Sequence, residues 1–242
     1  MKIMKIMVIL FLASIIIPFA SAHTETVKAS GHPDWAPTMY RSGDKIIGDA
    51  PDIVAKVFKD LSLPVNCSYV GPWDQVQALG AEGKIDVIVA AYKTENRERF
   101  FLYSNPYLTD NISAFTVNGF TYNSPVDLLG KSIAVTQGDS YGQEIDNFLK
   151  DNKGRLRIST YETPEQAFTS LINKKNDIFL YSLVSGEKVI KSNPDFKDVR
   201  NVVIGKELFY ILISKKSKYA ELMPQVNNLL QLYGNTGEIK SM

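Results

Sequence analysis

The chain has 242 residues, with 27 Lys and Arg against 26 Asp and Glu, two histidines and a single cysteine. A charge near zero argues against a nucleic-acid binder, whose surface carries a basic face, and the lone Cys67 excludes an internal disulfide. With 45% hydrophobic residues there is enough apolar material for a sizeable core without staples.

The first 22 residues read as a cleaved leader. Lys2 and Lys5 precede an apolar run from Ile6 to Phe19, and Ala20, Ser21 and Ala22 supply the small residues of a cleavage site before His23. The run is shorter than the ~20 residues of a spanning helix, and no Cys directly follows it to carry a lipid. Export without disulfides fits a bacterial periplasm. The remaining 220 residues (242 less 22) contain no second long apolar run and are expected to be soluble.

"TVKASGHPDW" (26–35) predicts a strand ending in a loop, and "DKIIGDAPDIVAKVFKDLSL" (44–63) a strand, a turn and a helix. Ile53, Val54, Val57, Phe58 and Leu61 recur at helical spacing, with Lys56, Lys59 and Asp60 opposite. "VNCSYV" is a strand, "WDQVQALGAEG" a helix stopped by Gly83, and "IDVIVAA" a strand apolar on both faces, as a parallel sheet covered by helices requires. The alternation then restarts. "NISAFTVNGF" and the segment 124–152 give a strand, a short helix, a strand, a Gly turn and a helix. "RISTY" is a strand, "TPEQAFTSLINKK" a helix opened by Thr163 and Pro164, "NDIFLYS" a buried strand, "ELFYILISKK" another strand, and 219–239 a closing helix and turn. Strands alternating with helices predict an α/β architecture.

Chemistry-bearing residues are few. His23, His32 and Cys67 show no metal-ligand spacing, and no catalytic motif or phosphate- or dinucleotide-binding loop occurs, so no metal, cofactor or catalytic residue is expected. "TENRERFFLYSNPY" (94–107) empties a buried strand into charge and aromatics. Thr94 is placed to cap the following turn and Arg97 to offer two parallel donors to a carboxylate, which Lys cannot match. A structural pairing of Arg97 with Glu95 or Glu98 is the alternative, and Arg99 reads as a solvated face. In "TQGDSYGQ" (136–143), Ser140 and Gln143 read as a capping box, and Gln137, Asp139 and Ser140 stand beside helix-start amides suited to an anion. Trp35 and Trp73 have cation-π capacity for a cationic partner. His32 reads as a loop or cleft residue.

These landmarks, in order, resemble the family 3 extracellular solute-binding proteins, periplasmic receptors of amino-acid ABC importers. The resemblance rests on the strand-turn-helix from Gly48 to Leu61, "PWDQVQALGAEGKIDVIVAA", "TENRERFFLYSNPY", "LLGKSIAVTQGDS", "AFTSLINKKNDIFL" and "GNTGEI". It implies a type II periplasmic binding protein-like fold: two α/β lobes joined by two crossover strands, with a ligand cleft that closes by hinge motion. Lobe 1 would comprise 23–113 and 209–242, and lobe 2 would comprise 114–208. It also implies that Arg97 grips a ligand carboxylate and that Trp35 and Trp73 line the cleft. Two departures stand out. The family's Asp for the ligand ammonium is replaced by Ser182, and the strand exit "AAYK" is one residue short and brings in Tyr92, which is expected to narrow the cleft. The function implied is capture of a small polar, carboxylate-bearing solute by a monomer that serves an ABC permease. The alternatives are a periplasmic cyclohexadienyl or arogenate dehydratase, drawing its acid from Asp34, Glu95 or Asp139, and a ligand sensor without transport.

Overall fold

The computed structural model describes residues 25–237 and 239; the leader of residues 1–22 and its cleavage point lie outside them. The chain begins with β1 (Val27–Ser30), β2 (Asp34–Trp35), β3 (Met39–Ser42), β4 (Lys45–Ile47), α1 (Asp49–Asp60), β5 (Val65–Cys67), α2 (Trp73–Glu82) and β6 (Val87–Ala91). A short α3 (Glu95–Glu98) and β7 (Phe101–Tyr103) lead into β8 (Leu108–Thr116). Then come β9 (Ser132–Thr136), α4 (Gln143–Asp151), β10 (Arg157–Tyr161), α5 (Pro164–Ile172), β11 (Ile178–Ser182) and α6 (Leu183–Ser192). The long β12 (Arg200–Ser214) and α7 (Met223–Thr236) close the chain.

The main sheet runs β10-β9-β11-β8-β12-β6-β1-β5, with β7 also on β12, and β2, β3 and β4 form a separate small sheet. Both flanks are parallel, β6-β1-β5 on one side and β11-β9-β10 on the other. They meet through antiparallel β8 and β12. Arg200 to Phe209 of β12 pair with β8, whereas Tyr210 to Ile213 pair with β6. The two long strands thus carry the chain between an α/β unit built on β1, β5 and β6 and another built on β9, β10 and β11.

Local sequence explains most elements. Val54, Val57 and Phe58 are fully buried on the inner face of α1. Every residue of β6 and of β11 is buried, as the continuous apolar runs require. Thr163 Oγ1 accepts from Gln166 N at 3.3 Å, with Pro164 at the first position of α5. Gly83, at φ 80°, ends α2 in the left-handed region.

Two expectations need correction. The capping box of Ser140 and Gln143 does not form. Gly142, at φ 89°, precedes α4 without a side-chain cap, and Ser140 Oγ donates instead to Asp146 Oδ2 at 2.5 Å. β12 begins at Arg200 rather than Glu207, because its first half is fixed by pairing with β8, with a register shift between Val203 and Gly205. The hairpin of β3 and β4, the short β2 and the helix α6 add to the sequence reading.

Candidate functional site

Arg97 stands on α3, whose first turn Thr94 caps: Arg97 N donates to Thr94 Oγ1 at 3.3 Å. This throws the Arg97 side chain back under β6, where the residue is only 5% exposed. Its Nε donates to Gln77 Oε1 at 2.8 Å and its Nη1 to Tyr92 O at 3.0 Å, and its Cζ lies 5.3 Å from the Trp73 ring centroid. Neither Glu95 nor Glu98 pairs with it; Glu98 is held by Lys93 at 2.8 Å, and Arg99 is exposed. A guanidinium has five N–H donors. Only two are used in hydrogen bonds among the described residues, while Arg97 lines a cavity of about 270 Å³ together with Thr94, Asp139, Ser140 and Asp146. Burial draws its pKa below the usual guanidinium value, countered by Tyr103, Asp139 and Asp146.

The aromatic walls are arranged differently from expectation. The His32 ring stacks on Trp35, with centroids 4.6 Å apart and planes 12° apart, and lies 5.3 Å from Trp73. Trp35 is 2% exposed and packs also on Tyr92 and Phe209, at 5.1 and 5.5 Å. The imidazole therefore covers the surface that Trp35 was expected to offer a ligand. Trp73 lines a second cavity, of about 260 Å³, with His32, Asp34, Asp74, Gln137 and Glu162. Tyr92 does not narrow the cleft. It is wholly buried beneath Trp35, because its hydroxyl donates to Asp110 Oδ2 at 2.6 Å.

Asp110, on β8, is a residue that sequence reasoning missed. It is buried and takes a hydrogen bond from Tyr92, and the nearby Ser182 hydroxyl helps to hold down a pKa that burial raises. Ser182 in turn caps α6, accepting from Ser185 N at 3.4 Å. The signal was an acidic residue facing inward in a strand whose second half, from Ile112 to Thr116, is wholly buried, "LTDNISAFT".

The two α/β units touch across the cleft. His32 Nδ1 accepts from Asp34 N at 3.0 Å, so Nε2 carries the hydrogen and donates to Asp139 Oδ1 at 2.8 Å. Thr136 Oγ1 donates to Asp139 Oδ2. Gln137 Nε2 donates to Asp74 Oδ2 at 2.8 Å, Gln77 Nε2 to Gly138 O at 3.1 Å, and Tyr181 OH to Asp34 O at 2.8 Å. Gln137, Asp139 and His32 thus come together, and Ser140 joins Arg97 in lining the other cavity. The anion site expected at the start of α4 is altered: Asp146 accepts from Tyr141 N at 2.8 Å and takes that amide for itself.

Residues 27–242 match the bacterial extracellular solute-binding proteins, family 3. The chain belongs to that family. A curated relative, the putative amino-acid ABC transporter-binding protein PatH of Vibrio harveyi, is 30% identical over 111 residues, which cover 45% of this chain and 43% of the relative. The match therefore spans less than half the relative's length. Among solved structures, a histidine kinase sensor domain similar to periplasmic binding proteins superposes with a TM-score of 0.74 at 18% identity, covering 88% of this chain and 92% of that one. The arginine-, lysine-, histidine-binding protein ArtJ of Geobacillus stearothermophilus gives 0.73 at 23% identity, covering 88% and 91%. Both likenesses bear on the fold, that of periplasmic binding proteins. No helix among the described residues is long and apolar enough to cross a membrane.

This family member carries an acidic cleft. Burial raises the pKa of Asp34, Asp110, Asp146 and Glu207 above the ordinary carboxyl value. A folded-state acid with a raised pKa binds more protons than its unfolded counterpart between the two values, so stability is greatest on the acid side of that window and falls as pH rises through it. Asp110→Asn removes one of these buried carboxyls while Tyr92 keeps an acceptor. The variant is expected to melt higher than wild type near neutrality and to converge with it toward about pH 4. Melting curves across pH check this, and a lower melting temperature at neutrality would contradict it.

Proposed function

We propose that the chain is a periplasmic receptor, monomeric after loss of its leader, that captures a small carboxylate-bearing solute for an ABC importer. The class favoured is an amino acid or close relative. In this reading lobe 1 (23–113 and 209–242) and lobe 2 (114–208) close on the ligand, and Arg97, Trp73, Thr94, Gln137, Asp139 and Ser140 meet it. Trp35, Tyr92, Ser182 and His32 support those contacts from behind or beside them. The observation that carries the reading is the buried Arg97 guanidinium, facing a cavity between the two units with donors to spare. A desolvated cation is costly to hold, and a bidentate carboxylate is the group whose geometry matches what it offers.

Membership of a solute-binding family supports this, as does the composition of the second cavity. Asp34, Asp74 and Glu162 line that cavity together with Trp73, a setting suited to a cationic end of the same ligand. Arginine-binding proteins among the structural neighbours point the same way.

Thermal unfolding of the chain from His23 against a panel of cationic, neutral and acidic amino acids, dicarboxylates and amines tests the reading. A ligand that binds only the folded state raises the midpoint by mass action. A rise with cationic amino acids that is absent with the corresponding amines is expected, and no rise with any carboxylate would overturn the proposal.

A further inference from the structure

His32 does more than line the cleft. Its imidazole rests on both indoles of the protein, at 4.6 and 5.3 Å, and its Nε2–H reaches across to Asp139 on the opposite unit. The Asp139 side chain is completely shielded from solvent and that of His32 is 4% exposed. The bond divides what would otherwise be a continuous cleft into the Arg97 cavity and the Trp73 cavity, since Asp139 lines the first and His32 the second. Close approach of the two units at this point depends on Gly138, at φ 78°, whose added Cβ would lie 3.2 Å from Gln77 Nε2 and 3.3 Å from the backbone N of Asp74. Gln77 and Asp74 are also the residues whose side chains bond the Gly138 carbonyl and Gln137.

We infer that His32 is a built-in occupant of the cleft: by filling the aromatic corner of Trp35 and Trp73 and bonding Asp139, it latches the two units shut in the absence of ligand, and an incoming solute must displace this bond. The inference goes beyond ligand identity. A ligand takes the place of His32 against Trp73 and beside Asp139, so closure is already encoded in the chain and ligand recognition is an exchange of partners across the same gap. Of the four side-chain bridges described, those of Gln137 with Asp74 and Gln77 with Gly138 are exposed, whereas Asp139 is closed off from water. A hydrogen bond shielded in this way gains more than an exposed one.

The test uses the chain from His23 without any ligand. Small-angle scattering of the wild type is expected to give a radius of gyration near ~17 Å, the value for a compact chain of its length. Asp139→Ala, which leaves the aromatic packing of His32 on Trp35 untouched, is expected to give a larger radius and a red shift of tryptophan emission, because Trp73 is 2% exposed in the latched state and lines the cavity that opens. Asp139→Asn keeps an acceptor for Nε2–H and is expected to stay compact with unshifted emission. An equal radius and emission for wild type and Asp139→Ala would overturn the latch. An Asp139→Asn variant that opens as far as Asp139→Ala would overturn its hydrogen-bond basis. Because no ligand enters, failure here is distinguishable from failure of the receptor reading, which the thermal panel decides.

Discussion

Arg97→Met is expected to abolish high-affinity capture while leaving the fold intact. The guanidinium offers a carboxylate a fork of donors that methionine lacks, and truncating one member of a buried, hydrogen-bonded charge pair costs about 3 kcal/mol, roughly a hundredfold in Kd. Stability should respond less than it does to loss of an ordinary buried residue. Arg97 is 5% exposed and burial already pulls its pKa down, so the folded chain holds this charge at a cost. Removing it leaves Gln77 Oε1 and Tyr92 O without their donors, at about 1 kcal/mol each, and relieves the desolvation of the cation. The midpoint of unfolding should therefore move by no more than about 5 °C in either direction. Arg97→Lys should recover only part of the affinity, because an ammonium is a point charge and not a planar fork. Melting and calorimetric titration of the three forms check both halves. A variant that loses binding only because it unfolds would contradict the account.

Trp35→Ala is expected to have the largest effect on stability. The residue packs on His32, Tyr92 and Phe209 and lies in the main core, so its loss opens a cavity that rigid β-sheet neighbours cannot fill. Loss of a core Trp costs about 3 to 5 kcal/mol, on the order of 10 °C in midpoint for a chain of this size. Trp35→Phe should cost far less, roughly 1 to 2 kcal/mol, because Nε1 is buried with no hydrogen-bond partner among the described residues and its removal forfeits nothing polar. The contrast separates a core role from a ligand-facing one. If Trp35→Ala melted with wild type but lost ligand, Trp35 would be a wall of the cleft after all.

What could be read from the chain divides along physical lines. The spacing of Val54, Val57 and Phe58, the apolar runs of β6 and β11 and the Thr163-Pro164 start of α5 are local, and each appears where the sequence places it. Thr94 as the cap that positions Arg97 was legible for the same reason. Contacts made at long range were not. The first half of β12 mixes Val202, Val203 and Ile204 with charged residues and Gly205, and its ladder with β8 makes it one strand with the apolar half. Ser140 has the spacing of a capping residue, yet Asp146, six residues on, claims its hydroxyl. Trp35, on the short β2, and His32, in the loop before it, are three residues apart, and nothing local says that the ring of one will cover the other. Asp110 was hidden because an inward acid on a strand is recognisable only when its partners, Tyr92 and Ser182, are known to converge on it from 18 and 72 positions away. Fold followed from periodicity and motif order; the interior of the cleft followed from register.

The central claim is that a ligand carboxylate meets Arg97 between the two units. Its most direct measurement is calorimetric titration of the strongest ligand from the thermal panel and of the same ligand with its carboxylate converted to the neutral amide, each into wild type and Arg97→Met. The account predicts that wild type prefers the acid by roughly a hundredfold and that Arg97→Met binds acid and amide alike, both weakly. Equal affinity of wild type for acid and amide, or an undiminished preference for the acid in Arg97→Met, would contradict it.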